Sequence, residues 1–196
     1  MRSIILIVKA VYYRVKSRLP RIASEVDMFG RKSSIKLLFS GEFKLFLELI
    51  CNPLNIVRYF EIPFVVSSVD WGTVRNCLDI SSPRIYFLYI LNKYRNVSYD
   101  IINPDVRDLE ITSKCLDAFF HNNGRVKKHS FSVSTLPFSN ESFDVVSSVS
   151  VIEHIPGNGD SLAIGEMWRV LKPGGKLVLT FPCAREYAEE FESFVF

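Results

Sequence analysis

Between residues 76 and 181, short apolar segments with strand character alternate with segments of helical periodicity. No other feature restricts the possible folds as much. Residues 76–80, 97–102, 128–133, 143–149 and 176–181 read as strands. Residues 85–94, 113–120 and 161–171 read as helices, the last with Leu162, Ile164, Met167, Trp168 and Leu171 near one face. Strands alternating with helices at this spacing pack as parallel strands joined by crossover helices. The expected architecture is α/β, a mostly parallel sheet with helices on both faces. Ligands in such sheets bind at the carboxyl ends of the strands, near the point where strand order reverses.

The front of the chain differs in charge. Residues 1–60 carry 11 Lys and Arg against 4 Asp and Glu, a net of +7, while residues 61–196 carry 13 against 17, a net of −4. Residues 1–70 therefore read as a basic helical segment before an α/β domain at 71–196. Helical patterns cover 4–19, where Pro20 ends the run, then 34–50 (Leu37, Leu38, Phe39, Phe43, Leu45, Phe46, Leu49, Ile50), and a short element at 54–60. The apolar run at residues 4–8 is far below the roughly 18 residues of a membrane span, and Lys9 interrupts it. No small-residue cleavage site follows it, so it does not read as a signal peptide. The first helix, with Lys9, Arg14, Lys16 and Arg18 beside Tyr12 and Tyr13, either lies on an anionic membrane surface or packs on the domain. The charge split does not suggest a nucleic-acid partner for the whole chain. Cys51, Cys77, Cys115 and Cys183 form no CxxC pair, so zinc is not expected and the thiols read as reduced, with Cys77 in the core. The expected location is cytoplasmic, with peripheral membrane contact through residues 1–20 as an open option.

Three segments carry a resemblance. Residues 136–146 read LPFSNESFDVV, residues 151–156 read VIEHIP, and residues 169–177 read RVLKPGGKL. In this order and spacing, from Arg75 to Pro182, they resemble class I S-adenosylmethionine-dependent methyltransferases, best the type 11 small-molecule branch. The resemblance implies a Rossmann-like sheet, S-adenosylmethionine as cofactor and a small-molecule, lipid or glycan acceptor. Pro173 cannot continue a helix, and Gly174-Gly175 supplies a turn into the next strand. Asp144, at the start of a strand, reads as structural, and Phe143 as core.

Family members carry a glycine-rich loop after the first strand, roughly LDxGxGxG. Here Leu78-Asp79-Ile80-Ser81-Ser82-Pro83-Arg84-Ile85 keeps Asp79 but places Ser81, Pro83 and Ile85 at the glycine positions. Glycine matters there because the backbone turns sharply and approaches the cofactor. A compensating reading makes Ser82 an N-cap with Pro83 first in the helix, leaving free N–H groups aimed at the cofactor. Arg84 either pairs with the cofactor carboxylate or is a surface residue. Asp100, read as ending the second strand 21 residues after Asp79, either holds the ribose hydroxyls, as the resemblance implies, or caps the following loop. Asp105 and Asp108 read as solvated or capping. Ser132 stands where the family often has an acid that meets the adenine amino group, and a hydroxyl recognises it more weakly. Phe131 and Leu136 either flank the adenine or are core. The expected cofactor-binding set is thus Asp79, Ser81, Ser82, Asp100 and Ser132.

Methyl transfer needs mainly proximity and orientation, with a base only for acceptors that are hard to ionise. Glu153 and His154, just past the fourth strand, are the candidates. His154 is open to three roles: base, pocket lining or structural. Ser150 replaces the first acid of the ExxEH segment found in some metal-dependent relatives, so no metal is expected. His121 and His129 receive no role. The alternative function is a non-catalytic methyltransferase-like domain that binds a partner or a membrane. The family sheet closes with two further strands, and residues 183–196 are too short for them. The fold is therefore expected to lack its last two strands.

Overall fold

The computed structural model describes residues 21–120 and 124–182. The expected helix at 4–19, His121, Cys183 and the segment 183–196 lie outside the described residues. Five strands form one sheet: β1 (Asn76–Ile80), β2 (Ser98–Ile102), β3 (Val126–His129), β4 (Phe143–Val149) and β5 (Leu171–Thr180). Their order is β3-β2-β1-β4-β5, and every pairing is parallel. The direction of progression reverses between β1 and β4, which sets the switch point there. Among the described residues β5 is an edge strand. The expected parallel sheet with a short strand count is observed.

Among the described residues six α-helices accompany the sheet: α1 (Arg21–Phe39), α2 (Phe43–Cys51), α3 (Arg58–Ser67), α4 (Arg84–Lys93), α5 (Val106–Phe120) and α6 (Gly159–Val170). The alternation of side chains along the strands feeds two cores. Cys77, Tyr99, Ile101 and Val145 point into the larger core, shared with Ala23, Val26 and Leu37 of α1, Ile62 and Val65 of α3, and α4 and α5. Leu78, Ile80, Ile102 and Val146 face the smaller core under Ala163, Met167 and Val170 of α6. Helices thus cover both faces, as expected. Residues 21–67 share one core with the sheet. Asp27, fully buried on α1, accepts hydrogen bonds from Arg31 Nε at 2.9 Å and from the Tyr59 hydroxyl of α3 at 3.0 Å. Removing one partner of such a buried group costs about 3–5 kcal/mol, so this contact fixes how α1 meets α3.

Several elements differ from the sequence reading for identifiable reasons. The helix expected at 34–50 is two helices. Gly41, at φ +81°, ends α1: its N–H bonds to the Leu38 carbonyl, and that of Glu42 bonds to the Leu37 carbonyl. This is a Schellman C-cap. α1 also begins much earlier, at Arg21. The third element lies at 58–67 rather than 54–60, α5 starts at Val106, and β3 sits a few residues earlier than expected. α6 buries Ala163, Met167 and Val170, whereas Leu162 and Trp168 are exposed. Docking on the sheet selected the Ala163–Met167–Val170 face; of the expected apolar set, Met167 and Leu171 are buried and Leu162, Ile164 and Trp168 are left exposed.

The Lys172–Gly175 turn has a tertiary reason. Phe143 pairs with Leu171, but Val145 pairs with Lys176, so the turn is extruded from the β4–β5 ladder. A Cβ on Gly175 would lie 2.9 Å from both the Asp144 and the Lys172 carbonyl oxygens. Asp144 is structural, as expected. It accepts the Arg75 and Asn76 backbone N–H groups at 2.8 Å each and pairs with Lys172 Nζ at 2.7 Å, locking β1, β4 and β5 at one end. Burial pushes its carboxyl up, but Lys172 and the two N–H groups hold it below the usual carboxylate range.

Candidate functional site

The carboxyl ends of β1, β2 and β4 border an open cleft of about 490 Å³. Ser81, Ser82, Arg84, Asn103, Asp108 and Arg58 are among its lining residues, together with Val149 and Ser150 at the end of β4. The cleft sits at the switch point, where the sequence placed it.

Asp79 lies beneath the loop, with none of its surface exposed. It accepts the Ser82 backbone N–H at 3.0 Å and the Ser147 hydroxyl of β4 at 2.8 Å. Burial raises its carboxyl to about 6, against the pull of these hydrogen bonds. Both oxygens serve the protein, so Asp79 shapes the loop from below. Ser82 does not act as the helix N-cap. Its hydroxyl accepts the Val149 N–H at 3.1 Å, and Pro83 is the N-cap, at φ −53° and ψ 124°, with Arg84 first in α4. The β4 end is close enough to claim the Ser82 side chain, and that contact was invisible in the local sequence.

Ser81, at the first glycine position of the family pattern, adopts φ +51°. Its N–H and its hydroxyl both donate to the Ile102 carbonyl, each at 2.9 Å. The left-handed turn made by a glycine is thus kept, at a cost of about 1–2 kcal/mol for a residue with a Cβ. Ser150, at the end of β4, also has φ +51°. Two strained residues at adjacent strand ends are the kind of feature that concentrates at functional sites.

The charged groups of the cleft are paired. Arg84 pairs with Asp108, which also accepts Asn103 Nδ2 at 2.9 Å. Arg58 pairs with Glu61 on α3. Glu61 accepts the Ser150 hydroxyl at 2.5 Å and the Thr180 hydroxyl of β5 at 2.9 Å. Burial pushes its carboxyl up, yet Ser150, Thr180 and Arg58 together hold it below its ordinary value. Glu61 fastens α3 across the ends of β4 and β5. Glu153 and His154 form a 3-10 turn (Ile152–His154) just after Ser150. His154 Nε2 is 4.0 Å from Glu153 Oε1, with half of the His154 side chain exposed.

Of the expected site residues only Ser81 and Ser82 line the cleft; Asp79, Asp100, Ser132, Glu153 and His154 are not among its lining residues. Asp100 does not end β2: it pairs in register with Leu78, two residues before the strand end at Ile102. Its carboxylate meets His129 Nε2 at 2.6 Å. The His129 ring packs on Phe131 at 5.2 Å and on Phe138 at 5.4 Å. Ser132 is exposed and accepts the Ser134 N–H at 3.2 Å. Leu136 is buried in the smaller core. Placing the strand end at Asp100 obscured Asn103, the polar residue that follows it. Asp108 is no solvated carboxylate, because α5 starts early enough to bring it to Arg84. Nothing in the local sequence pointed to Arg58 or Glu61, which reach the cleft only because α3 docks on the sheet. Among the described residues no group of three His, Cys, Asp or Glu side chains is arranged to hold a metal, and no helix is long and apolar enough to cross a membrane.

Comparison with known proteins bears on this arrangement. Residues 105–179 match the family model described as a methyltransferase domain. The match runs from α5 to β5, so the Ser81–Ile85 departures lie outside it. A candidate methyltransferase of Bacillus halodurans superposes with a TM-score of 0.56 at 20% identity, covering 65% of this chain and 53% of that one. A candidate sarcosine dimethylglycine methyltransferase of Galdieria sulphuraria gives 0.54 at 19%, covering 61% and 46%. An O-methyltransferase family protein of Burkholderia thailandensis gives 0.52 at 21%, covering 63% and 37%. The chain spans about half or less of the length of these structures, and at such identities the likeness establishes the fold. No curated protein matches the sequence. With the strand order and the match over residues 105–179 together, the chain has the Rossmann-like class I methyltransferase fold and is similar to the type 11 methyltransferase domain, whose members use S-adenosylmethionine.

Proposed function

We propose that the chain transfers a methyl group from S-adenosylmethionine to a small-molecule, lipid or glycan acceptor. The observation that carries this reading is the switch-point cleft, in which Ser81, at the first glycine position of the family pattern, adopts a left-handed conformation. The residues present suit the cofactor. A cleft of about 490 Å³ falls within the usual range for small-molecule sites. The N-terminus of α4 offers unpaired backbone N–H groups to a carboxylate, and Arg84 stands at the same point. Asn103 and Asp108, just past β2, are hydrogen-bonded to each other at 2.9 Å, and a ribose diol bound there exchanges its hydroxyls for that contact. The role of Asp100, buttressed by His129, is then to hold the β2–β3 edge beside the adenine, or to reach the ribose directly.

When bound, S-adenosylmethionine supplies an electrophilic methyl on a sulfonium. The chain's own contribution is position. Asp79 holds the Ser81–Ser82 loop, and Glu61 holds Ser150 and with it the turn that carries Glu153 and His154. His154, half-exposed on the turn that follows the cleft-lining Ser150, accepts a proton from an acceptor hydroxyl, and Glu153 orients or balances it. Residues 1–20 are the proposed contact with an anionic membrane surface.

A second reading, a non-catalytic binding domain, is favoured by one observation: the Arg84–Asp108 pair already occupies two of the cleft's charged groups. Calorimetry of the full chain with S-adenosylmethionine decides between them. Saturable binding supports methyl transfer, and no heat at millimolar cofactor leaves the non-catalytic domain.

A further inference from the structure

A second cavity lies beside the cleft, between α2, α4 and α5. It holds about 170 Å³ of space, and its walls are Leu45 and Leu49 of α2, Ile85 and Leu88 of α4, and Cys115 of α5. Glu48, Asn52 and Arg84 form its polar rim. Leu49, Asn52, Arg84 and Ile85 line both cavities, so the pocket is a continuation of the cleft.

α2 itself shows that this space is unfilled. None of its nine residues is fully buried, although the helix is held at its start by Glu42, which pairs with Lys114 of α5 at 2.9 Å. Leu45 and Leu49, one turn apart, turn toward the core and are only partly buried. A void of this kind forfeits dispersion contacts along its lining. An apolar cavity of roughly 150 Å³ stays dry and accepts benzene, so this one matches a single ring or a short alkyl chain. The rim favours an uncharged head. Arg84 is already neutralised by Asp108, and Glu48 adds a further carboxylate that repels an anion and accepts from a hydroxyl.

We propose that this pocket seats the apolar ring or short alkyl group of an uncharged, hydroxyl-bearing small molecule that enters through the cleft. As a statement about the acceptor, the inference rests on the methyl-transfer reading. As a statement about binding, it stands alone.

The test is a titration of the full chain with phenol in the absence of cofactor, followed by methyl NMR of Leu45, Leu49, Ile85 and Leu88. Saturable shifts confined to these residues are expected, with benzoate binding about tenfold more weakly than phenol. Leu49→Phe, at a partly buried position, fills the pocket and weakens phenol binding by about tenfold or more. Cys115→Met does the same from the opposite wall, should the first variant not fold. Absence of saturable shifts overturns the proposal, as does undiminished binding by a folded, filled variant. Benzoate binding as tightly as phenol overturns the uncharged-head assignment. Phenol binding in a chain that takes up no S-adenosylmethionine supports the pocket and overturns the methyl-transfer reading.

Discussion

Asp79→Asn should stabilise the chain at neutral pH. The carboxyl of Asp79 is wholly buried, and its value moves from 3.8 to about 6 on folding. Desolvation is the cause, only partly offset by hydrogen bonds from Ser82 and Ser147. The folded state therefore binds this proton more tightly than the unfolded state does. Between pH 3.8 and about 6 the folded chain holds more protons at this site, so stability falls as pH rises through that window. The loss amounts to about 3 kcal/mol, complete above the folded value. An asparagine keeps an oxygen for the Ser82 N–H and offers an amide to the Ser147 hydroxyl, without a charge to bury. Asp79→Asn is expected to gain up to about 3 kcal/mol at pH 7, or roughly 6–12 °C in Tm for a domain of this size. The assay is thermal unfolding of both proteins from pH 4 to pH 8. Their difference cancels groups common to both, including Glu25 and Glu166, whose depressed values act between about 2 and 4.5 and so overlap the lower end of the Asp79 window. The difference should be small near pH 4, grow to pH 6 and then stay level. A flat difference, or an asparagine variant that unfolds earlier at pH 7, refutes the argument from burial.

Three further outcomes follow from the same geometry. Gly175→Ala puts a Cβ against two backbone oxygens that cannot swing aside, and should cost about 1–3 kcal/mol in chemical denaturation; an unchanged midpoint means the extruded turn relaxes freely. Asp100→Ala should weaken S-adenosylmethionine binding by roughly 1–3 kcal/mol in calorimetry if the carboxylate reaches the ribose, the scale of a charged hydrogen bond; unchanged affinity confines it to the His129 contact. Deleting residues 1–20 should reduce sedimentation with anionic vesicles, and more so at low salt, if the basic front lies on membranes; equal sedimentation removes that role.

How much of this was legible in the sequence depends on whether a feature is local. Strand and helix identity from β1 to β5 was readable because apolar residues recur with the period of each element, and β1 and β4 fell on their expected residues. The switch-point cleft followed from parallel topology, and Asp144 from its place at the head of a strand. The three motif segments carried the family, and residues 105–179 bear it out. What failed depended on partners distant in sequence. Ser82 reads locally as a cap, but Val149, 67 positions away, captured its hydroxyl. α6 reads as presenting Leu162, Met167 and Trp168 on one face, but the sheet accepted Met167 together with Ala163 and Val170 and left Leu162 and Trp168 exposed. Arg58 and Glu61 carry no motif and enter the site only because Asp27 and Tyr59 fix α1 on α3 and because α3 crosses the strand ends. The sequence by itself determined the elements, their parallel arrangement and the likeness to the methyltransferase domain, since these depend on periodicity and short motifs. Tertiary structure alone decided which polar groups meet at the cleft, that Asp79 is buried away from it, and that a serine sustains the turn of a glycine. Hydrogen bonding and desolvation at a site are set by neighbours in space, and no local pattern encodes them.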